Sequence, residues 1–364
     1  MPHSSRHPLL AVTMGDAAGV GPEVIVRACS DQRVGKCCRP VVLGHPQVLQ
    51  RAVELVGVDC PIRVYSDPVA LEDSEVGGDA HGIACLAVGG DELLQVADGA
   101  IDARTGQAAY EALILAIDAT RSGLFAAIVT APLSKAALHA AGHLYPGHTE
   151  LLAERCGVDD FAMMLYLPPG EGCMSPAGLG VVHVTLHTAL RNVFEQLTPT
   201  AVLAKSRLVD QAMRKGFGLE QPRLGVCALN PHGGEEGLFG DEESRIIAPA
   251  VQQARAEGIG ASGPFPTDTL MVRAAAGEFD AVVAMYHDQG HIALKLLGMH
   301  RAVNITLGLP IVRTSVAHGT AFDRAWQGTA DAEGMVAALQ TASKLVQRSA
   351  PTNVSHTAAN GATA

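Results

Sequence analysis

Short apolar runs alternate along this chain with stretches in which apolar residues recur every three or four positions. The runs at 9–15, 40–44, 126–130, 161–167, 181–187, 224–230, 281–286 and 303–307 predict strands. The periodic stretches at 106–120, 198–215 and 242–257 predict helices with one packed face. Alternation of this kind predicts an α/β fold with a mainly parallel sheet covered by helices. AAIVT (126–130) and AVVAMY (281–286) are almost continuously apolar, as expected of strands buried on both faces. Between two predicted strands, LPPGEGCMSPAGLG (167–180) is rich in Pro and Gly and reads as a loop making a hairpin excursion at the surface. The stretch 349–364 is small, polar and without period, and is expected to be a disordered tail.

Composition narrows the class. At 364 residues two domains are the natural expectation, and 48% hydrophobic with 17% charged residues suits a compact enzyme rather than a disordered chain. A net charge of −11 argues against a nucleic-acid partner held by bulk electrostatics, so an anionic ligand would need a local cluster of Lys, Arg and His. The eight cysteines form no CxxC pair and read as reduced, mostly buried thiols. The N-terminal MPHSSRHP runs into a strand without a signal-type apolar core, and no apolar run approaches the roughly 20 residues of a membrane span. The expected location is the cytoplasm, with no membrane partner.

Three apolar runs lead to histidines: His187 after VVHVTLH, His232 after LGVCALNPH and His287 in DAVVAMYHDQG. In open α/β sheets ligands sit beyond the carboxyl ends of strands, and three imidazoles delivered there could hold a metal. Taken singly, each reads equally well as a hydrogen-bonded loop histidine, as His183 and His139 do. A second group suits an anion. YPGHTE (145–150) places His148 and Thr149 where a helix should begin, with Thr149 a candidate N-cap, and Lys295, Asn304 and Arg313 follow. Arg313 lies within an apolar, strand-like segment and therefore needs an anionic partner. MGDAAGVGPE (14–23) is Gly-rich without the dinucleotide-binding spacing, and a purely structural turn is an equal reading.

Together, GDAAGVGPE, TAPLSK, YPGHTELLAE, NPHGGEEGLFGDEE, MYHDQGHIALKLLG and NITLGLPIVRTSVAHGTAFD resemble the PdxA-like family of 4-hydroxythreonine-4-phosphate dehydrogenases. The resemblance implies a two-domain isocitrate/isopropylmalate dehydrogenase-like fold with the active site in the cleft between domains. Residues 1–132 plus 289–348 would form a discontinuous cofactor-side domain, and 133–288 a central domain for substrate, metal and dimerisation. It assigns His187, His232 and His287 to a divalent metal ion (zinc, manganese, magnesium or similar). It assigns His148, Thr149, Lys295, Asn304 and Arg313 to substrate, and His318, Gly319, Thr320 and Asp323 to NAD. It also implies a homodimer in which one subunit contributes ligands to its partner's site.

The expected activity is metal-dependent, NAD-linked oxidation, with decarboxylation, of a 4-phosphorylated 3-hydroxy acid such as 4-phosphohydroxythreonine or D-threonate or D-erythronate 4-phosphate. Lys135, Asp268 and Asp288 are candidates for proton transfer or for orienting ligands. Asp323 beside a ribose is expected to favour NAD over NADP. The chain departs from the family's pattern at Ala17, where proline is usual, in the length of the 167–180 loop, and at Trp326 and Gln327. The form GHIALKLLG, with His291, looks closer to the D-threonate and D-erythronate 4-phosphate branch, although a terephthalate-type cis-dihydrodiol dehydrogenase branch shares HDQGHI. That dihydrodiol activity and a non-catalytic metabolite-binding protein are the alternatives.

Overall fold

All eight apolar runs contribute strands, because consecutive apolar residues satisfy a sheet covered on both faces. In the computed structural model, which describes residues 7–68, 70–73 and 82–349, the strands are β1 (Leu9–Thr13), β2 (Arg39–Gly44), β3 (Ile62–Tyr65), β4 (Ile83–Ala87), β5 (Ala127–Thr130) and β6 (Ala162–Leu167). The remainder are β7 (Leu179–His183), β8 (Arg223–Cys227), β9 (Gly260–Phe265), β10 (Ala281–Ala284), β11 (Val303–Leu307) and β12 (Val312–Val316). They form one sheet in the order β3-β4-β2-β1-β5-β12-β11-β6-β7-β10-β8-β9. The strands from β3 to β12 run parallel, as do β7, β10, β8 and β9, but the antiparallel pairs β12–β11, β11–β6 and β6–β7 reverse the direction between the two blocks. The sheet is therefore mainly parallel, with an antiparallel centre that alternation alone did not predict.

The centre is covered differently on its two faces. Helices Pro199–Phe217 and Glu333–Ser349 pack on one side, where Thr314 Oγ1 donates to Ala338 O (2.9 Å). Helix Ala103–Arg121 lies on the opposite side of β1, β2 and β5, while His287–Gly298 covers β7 and β10. The predicted helix at 242–257 begins with a π-helical turn, Glu243–Ile247, before Ala248–Ala256; Pro249 has no N–H for the regular ladder. The loop 167–180 is a hairpin excursion as expected, closed by a bridge between Gly170 and Cys173. Ser349, the first residue of the expected tail, ends the last helix, and residues 350–364 lie outside the described residues. All eight cysteines are free. Among the described residues no helix is long and apolar enough to cross a membrane.

The glycine-rich turn at 14–23 is structural. Four of its N–H groups are already taken within the fold: Asp16 N donates to Pro132 O, Ala18 N to Asp16 Oδ1, Gly19 N to Asp16 O and Val20 N to Thr320 O. Gly15 (φ +69°) is required because a Cβ there would run into the carbonyl of Pro132. The turn supports the loop after β12. Glu23, fully buried, accepts the N–H groups of Trp326 (2.5 Å) and Gly328 (2.8 Å), and the Trp326 indole donates to Ala17 O (3.1 Å). Two departures from the family pattern, Ala17 and Trp326, thus touch each other and form one adjustment. Ala17 does not loosen the turn, since it is buried and its carbonyl anchors the indole.

Replacing Glu23 with Ala should leave two buried N–H groups without acceptors and lower unfolding free energy by about 2–3 kcal/mol in urea titrations. An unchanged midpoint would show that the loop is ordered by packing alone.

Candidate active site

Arg313 lies in β12 with its guanidinium on the face opposite helix Glu333–Ser349. Register places Ile128 of β5 beside it, and Ser315, two residues on, beside Thr130 and Asn304. Arg313 is 2% exposed; Nη1 donates to Thr306 Oγ1 (3.1 Å), Nη2 to Thr130 Oγ1 (2.6 Å), and Nε has no partner. Among the described residues no carboxylate pairs with it. Burial depresses its pKa to about 10, against the opposing pull of the nearby Glu150 carboxylate, so it remains a cation at neutral pH.

The guanidinium lines a cavity of ≈ 360 Å³, bounded by Lys135, His148, Thr149, Glu150, Met163, His187, Asn304, Ser315, His318 and Gly319 among others. This volume falls within the range of about 300–1,000 Å³ usual for ligand pockets. Helix His148–Cys156 starts at the cavity with no side-chain cap. The cap position is Gly147, so Thr149 is not the N-cap expected from sequence but the second residue of the helix. With glycine at the cap there is no side chain to accept from the first turn, which leaves helix N–H groups facing the cavity. His148 is held well below its ordinary pKa by burial and by the positive charges of Arg313 and Lys135. Asn304 donates to Met163 Sδ (3.1 Å), and its Oδ1 is buried without a partner.

The three candidate metal histidines follow the carboxyl ends of adjacent parallel strands: His187 after β7, His287 after β10 and His232 after β8. His187 and His287 have ring centroids 6.1 Å apart and share a second cavity of ≈ 420 Å³ with Asp288, which meets the first cavity at His187. Asp288 Oδ1 lies 2.7 Å from His287 Nδ1, leaving Nε2 for a ligand, the usual arrangement of a carboxylate-supported metal histidine. Burial and the charge of Lys135 lower the pKa of His187, favouring the neutral, ligating form. His232 does not join them. It begins a run of left-handed residues through Glu236, and no group of three His, Cys, Asp or Glu side chains among the described residues stands close enough to hold an ion. Two imidazoles of one chain thus stand where they could bind a divalent ion together.

At its other end the central cavity meets a third, of ≈ 400 Å³, at His318. Ala321, Arg324, Asp331 and Val20 line it. Thr320 is held by its carbonyl, which accepts Val20 N–H, and Asp323 is exposed with a carboxylate that bonds no neighbour among the described residues. Of the other expected residues, Lys295 and Asp268 line none of these three cavities. Lys295 stands one turn beyond His291, and Asp268 is exposed at a helix start, accepting Thr269 N–H (2.8 Å). Sequence reasoning missed Glu150, Thr130 and Thr306. Only the neighbouring HTE motif pointed to the first, and the two threonines are recognisable solely through the register of β5, β11 and β12.

Comparison with known proteins agrees with this geometry. The family described as pyridoxal phosphate biosynthetic protein PdxA matches residues 36–342. D-threonate 4-phosphate dehydrogenase of Cupriavidus necator is 43% identical over 347 residues, covering 94% of this chain and 98% of that protein. The crystal structure of 4-hydroxythreonine-4-phosphate dehydrogenase from Klebsiella pneumoniae superposes with a TM-score of 0.81 at 41% identity, covering 93% of this chain and all of that one. A terephthalate 1,2-cis-dihydrodiol dehydrogenase from Burkholderia xenovorans LB400 superposes with a TM-score of 0.61 at 28% identity, over 93% and 98% of the two chains.

The buried histidines give the fold a pH dependence of defined sign. Burial keeps His183 neutral, with a pKa well below the unfolded value of 6.5, so the unfolded chain takes up a proton that the folded chain refuses. Stability from this group is present above about pH 6.5 and is lost as pH falls below it. Urea midpoints of metal-free protein should decline from pH 6.5 to pH 5, and His183→Gln should flatten that slope by up to about 1.4 kcal/mol per pH unit. An unaltered slope would mean that the His183 proton is not linked to folding.

Proposed function

Since the chain belongs to the PdxA family, we propose that it is a dehydrogenase oxidising a small 4-phosphorylated hydroxy acid, D-threonate 4-phosphate or 4-hydroxythreonine-4-phosphate, with NAD as hydride acceptor. The observation that carries this reading is Arg313, a buried guanidinium without a carboxylate partner, at the middle of three contiguous cavities. The cavity at one end carries the paired imidazoles and that at the other the 318–324 loop. Arg313, Asn304, His148, Thr149 and the free first turn of helix His148–Cys156 hold the phosphate, which supplies the missing countercharge. Lys295, which lines none of these cavities in its own chain, would contact the substrate's anionic groups only from a second copy.

His187 and His287, with His232 of a second copy, would hold a divalent ion, which when bound acidifies a substrate hydroxyl. His318, Gly319, Thr320 and Asp323 would hold NAD, which when bound would supply the hydride acceptor. Glu150 and Lys135 line the cavity between these groups and are assigned the hydroxyl proton, while Asp288 orients His287. Asp268 has no contact with the cavities and is left to an outer role. A ketone formed β to the carboxylate then loses carbon dioxide.

The assembly completes this reading. Leu190, Phe194, Leu238, Phe239, Ile292 and Leu296 are exposed, Leu296 at 83%, and they flank the three histidines in sequence; Leu190 also lines the cavity of His187 and His287. A homodimer covering these residues would bury apolar surface and deliver His232. The reversal of strand direction at the centre supports two lobes with the substrate between them. We place the second crossing after the helix His287–Gly298 rather than at 289, since that helix packs on β7 and β10.

NADH formation followed at 340 nm with D-threonate 4-phosphate, 4-hydroxythreonine-4-phosphate and a cis-dihydrodiol dicarboxylate tests the substrate class. Turnover confined to the dihydrodiol would overturn it in favour of the other activity found among the structural relatives. Arg313→Met should lower kcat/KM about ten- to a hundredfold for the phosphorylated acid and little for its dephosphorylated analogue. Equal losses on both would make Arg313 a support of the fold. EDTA should abolish turnover, and His232→Ala should lose metal while remaining folded; a metal-free preparation at full activity would remove the ion from the mechanism.

A further inference from the structure

His287 stands at the first position of its helix, partly exposed, and its one hydrogen-bond partner, Asp288, is itself a solvent-facing side chain. The Asp288 bond turns Nδ1 outward, but a single bond to an exposed side chain does not by itself hold the plane of the ring. One turn later His291 does: its ring lies flat against that of His287, with centroids 3.8 Å apart and planes at 11°. His291 is 7% exposed, and its Nδ1 is 3.0 Å from Nε2 of His183, the last residue of β7, which is 1% exposed. The chain of contact runs from the sheet through two buried imidazoles to the rim of the cavity.

The backbone is arranged to permit this contact. A Cβ on Gly290 would sit 2.7 Å from His183 Nε2 and 3.1 Å from Ala284 Cβ, so only glycine lets the helix approach the sheet closely enough for the two rings to bond. An apolar pair would fill the same space without burying polar atoms. Here two polar rings are buried against each other instead, a cost that packing alone gives no reason to retain.

We propose that His291, tethered by His183, is a positioning residue that holds the His287 ring in its ligating orientation and thereby sets the affinity for the divalent ion. The inference rests on the metal site proposed above.

Zinc titrations of the metal-free full-length protein, in competition with a chromophoric chelator, test the proposal. His291→Ala should weaken zinc binding about ten- to a hundredfold, the range for loss of a residue that supports a ligand. Its kcat should fall at limiting zinc and recover at saturating zinc, with KM for substrate unchanged. His291→Phe keeps the stack but loses the tether, and a several-fold weakening is expected. Wild-type affinity in a folded His291→Ala overturns the proposal. If that variant does not fold, wild-type affinity in His291→Phe does so instead, because the ring would then act by packing. His287→Ala separates the two levels: zinc binding undiminished in that variant would refute the metal site itself, whereas its loss there with retention in His291→Ala would refute only the positioning role.

Discussion

An arginine buried against two threonine hydroxyls is the constraint around which the centre of this molecule is organised. Hydroxyl groups satisfy N–H donors but return no charge, and a buried cation without a countercharge is among the costliest groups a fold can carry. Glu150 is near enough to act on Arg313 but not enough to outweigh burial, since the guanidinium titrates at about 10. The surrounding structure keeps the site positive: Lys135 lies on the same cavity, and an uncapped helix directs its N-terminus there. Such a place is completed by a dianion, and the activity proposed for the chain supplies one at the end of the substrate remote from the reacting carbon. The phosphate then positions the hydroxyl, so binding energy is applied where the chemistry needs geometry.

Much of this was legible in the sequence, for identifiable reasons. A charge inside an apolar run must be explained, and Arg313 stood in one. Histidines just beyond apolar runs are placed by strand topology, and β7, β10 and β8 are indeed neighbours. What order along the chain does not contain is register and distance. Thr130 and Thr306 became part of the site only because β5, β12 and β11 pair in one particular alignment. His183 looked like another strand-end histidine and lies beneath the site, because a strand turns its residues alternately to two faces. The edge strands β3 and β9 were missed for a related reason: Val64 is 57% exposed and GASGPF is scarcely apolar, so neither carries the pattern of a covered strand.

The glycine-rich turn shows how composition can mislead. A phosphate-binding loop and a structural turn can share the same residues, and they differ in whether their N–H groups are free. Here Pro132, Asp16 and Thr320 occupy those of Asp16, Ala18, Gly19 and Val20, and the turn fixes the loop that leads from His318 to Trp326. Ala17 and Trp326, read from sequence as two separate departures, meet in a single hydrogen bond. Arg51 lies over the indole ring at 4.0 Å and pairs with Asp98, extending the same support outward. The loop after β12 is thus held by side chains far apart in the sequence, which is why single motifs describe it poorly.

The placement of His232 has a thermodynamic consequence. Its segment passes through consecutive left-handed residues, several of them not glycine, a conformation that persists only when its surroundings impose it. Glu243 does so at the base of the loop: burial alone would raise its pKa, but bonds from the N–H groups of Asn230 and Leu229 and from the Asn230 amide win and lower it. The loop is therefore built before any ligand arrives, yet it does not bring His232 to the two imidazoles of its own chain. On the proposed reading the ion is completed by a second copy, and metal binding and dimerisation become linked equilibria. Each stabilises the other by the same free energy, so dilution weakens metal binding as surely as chelation weakens the dimer.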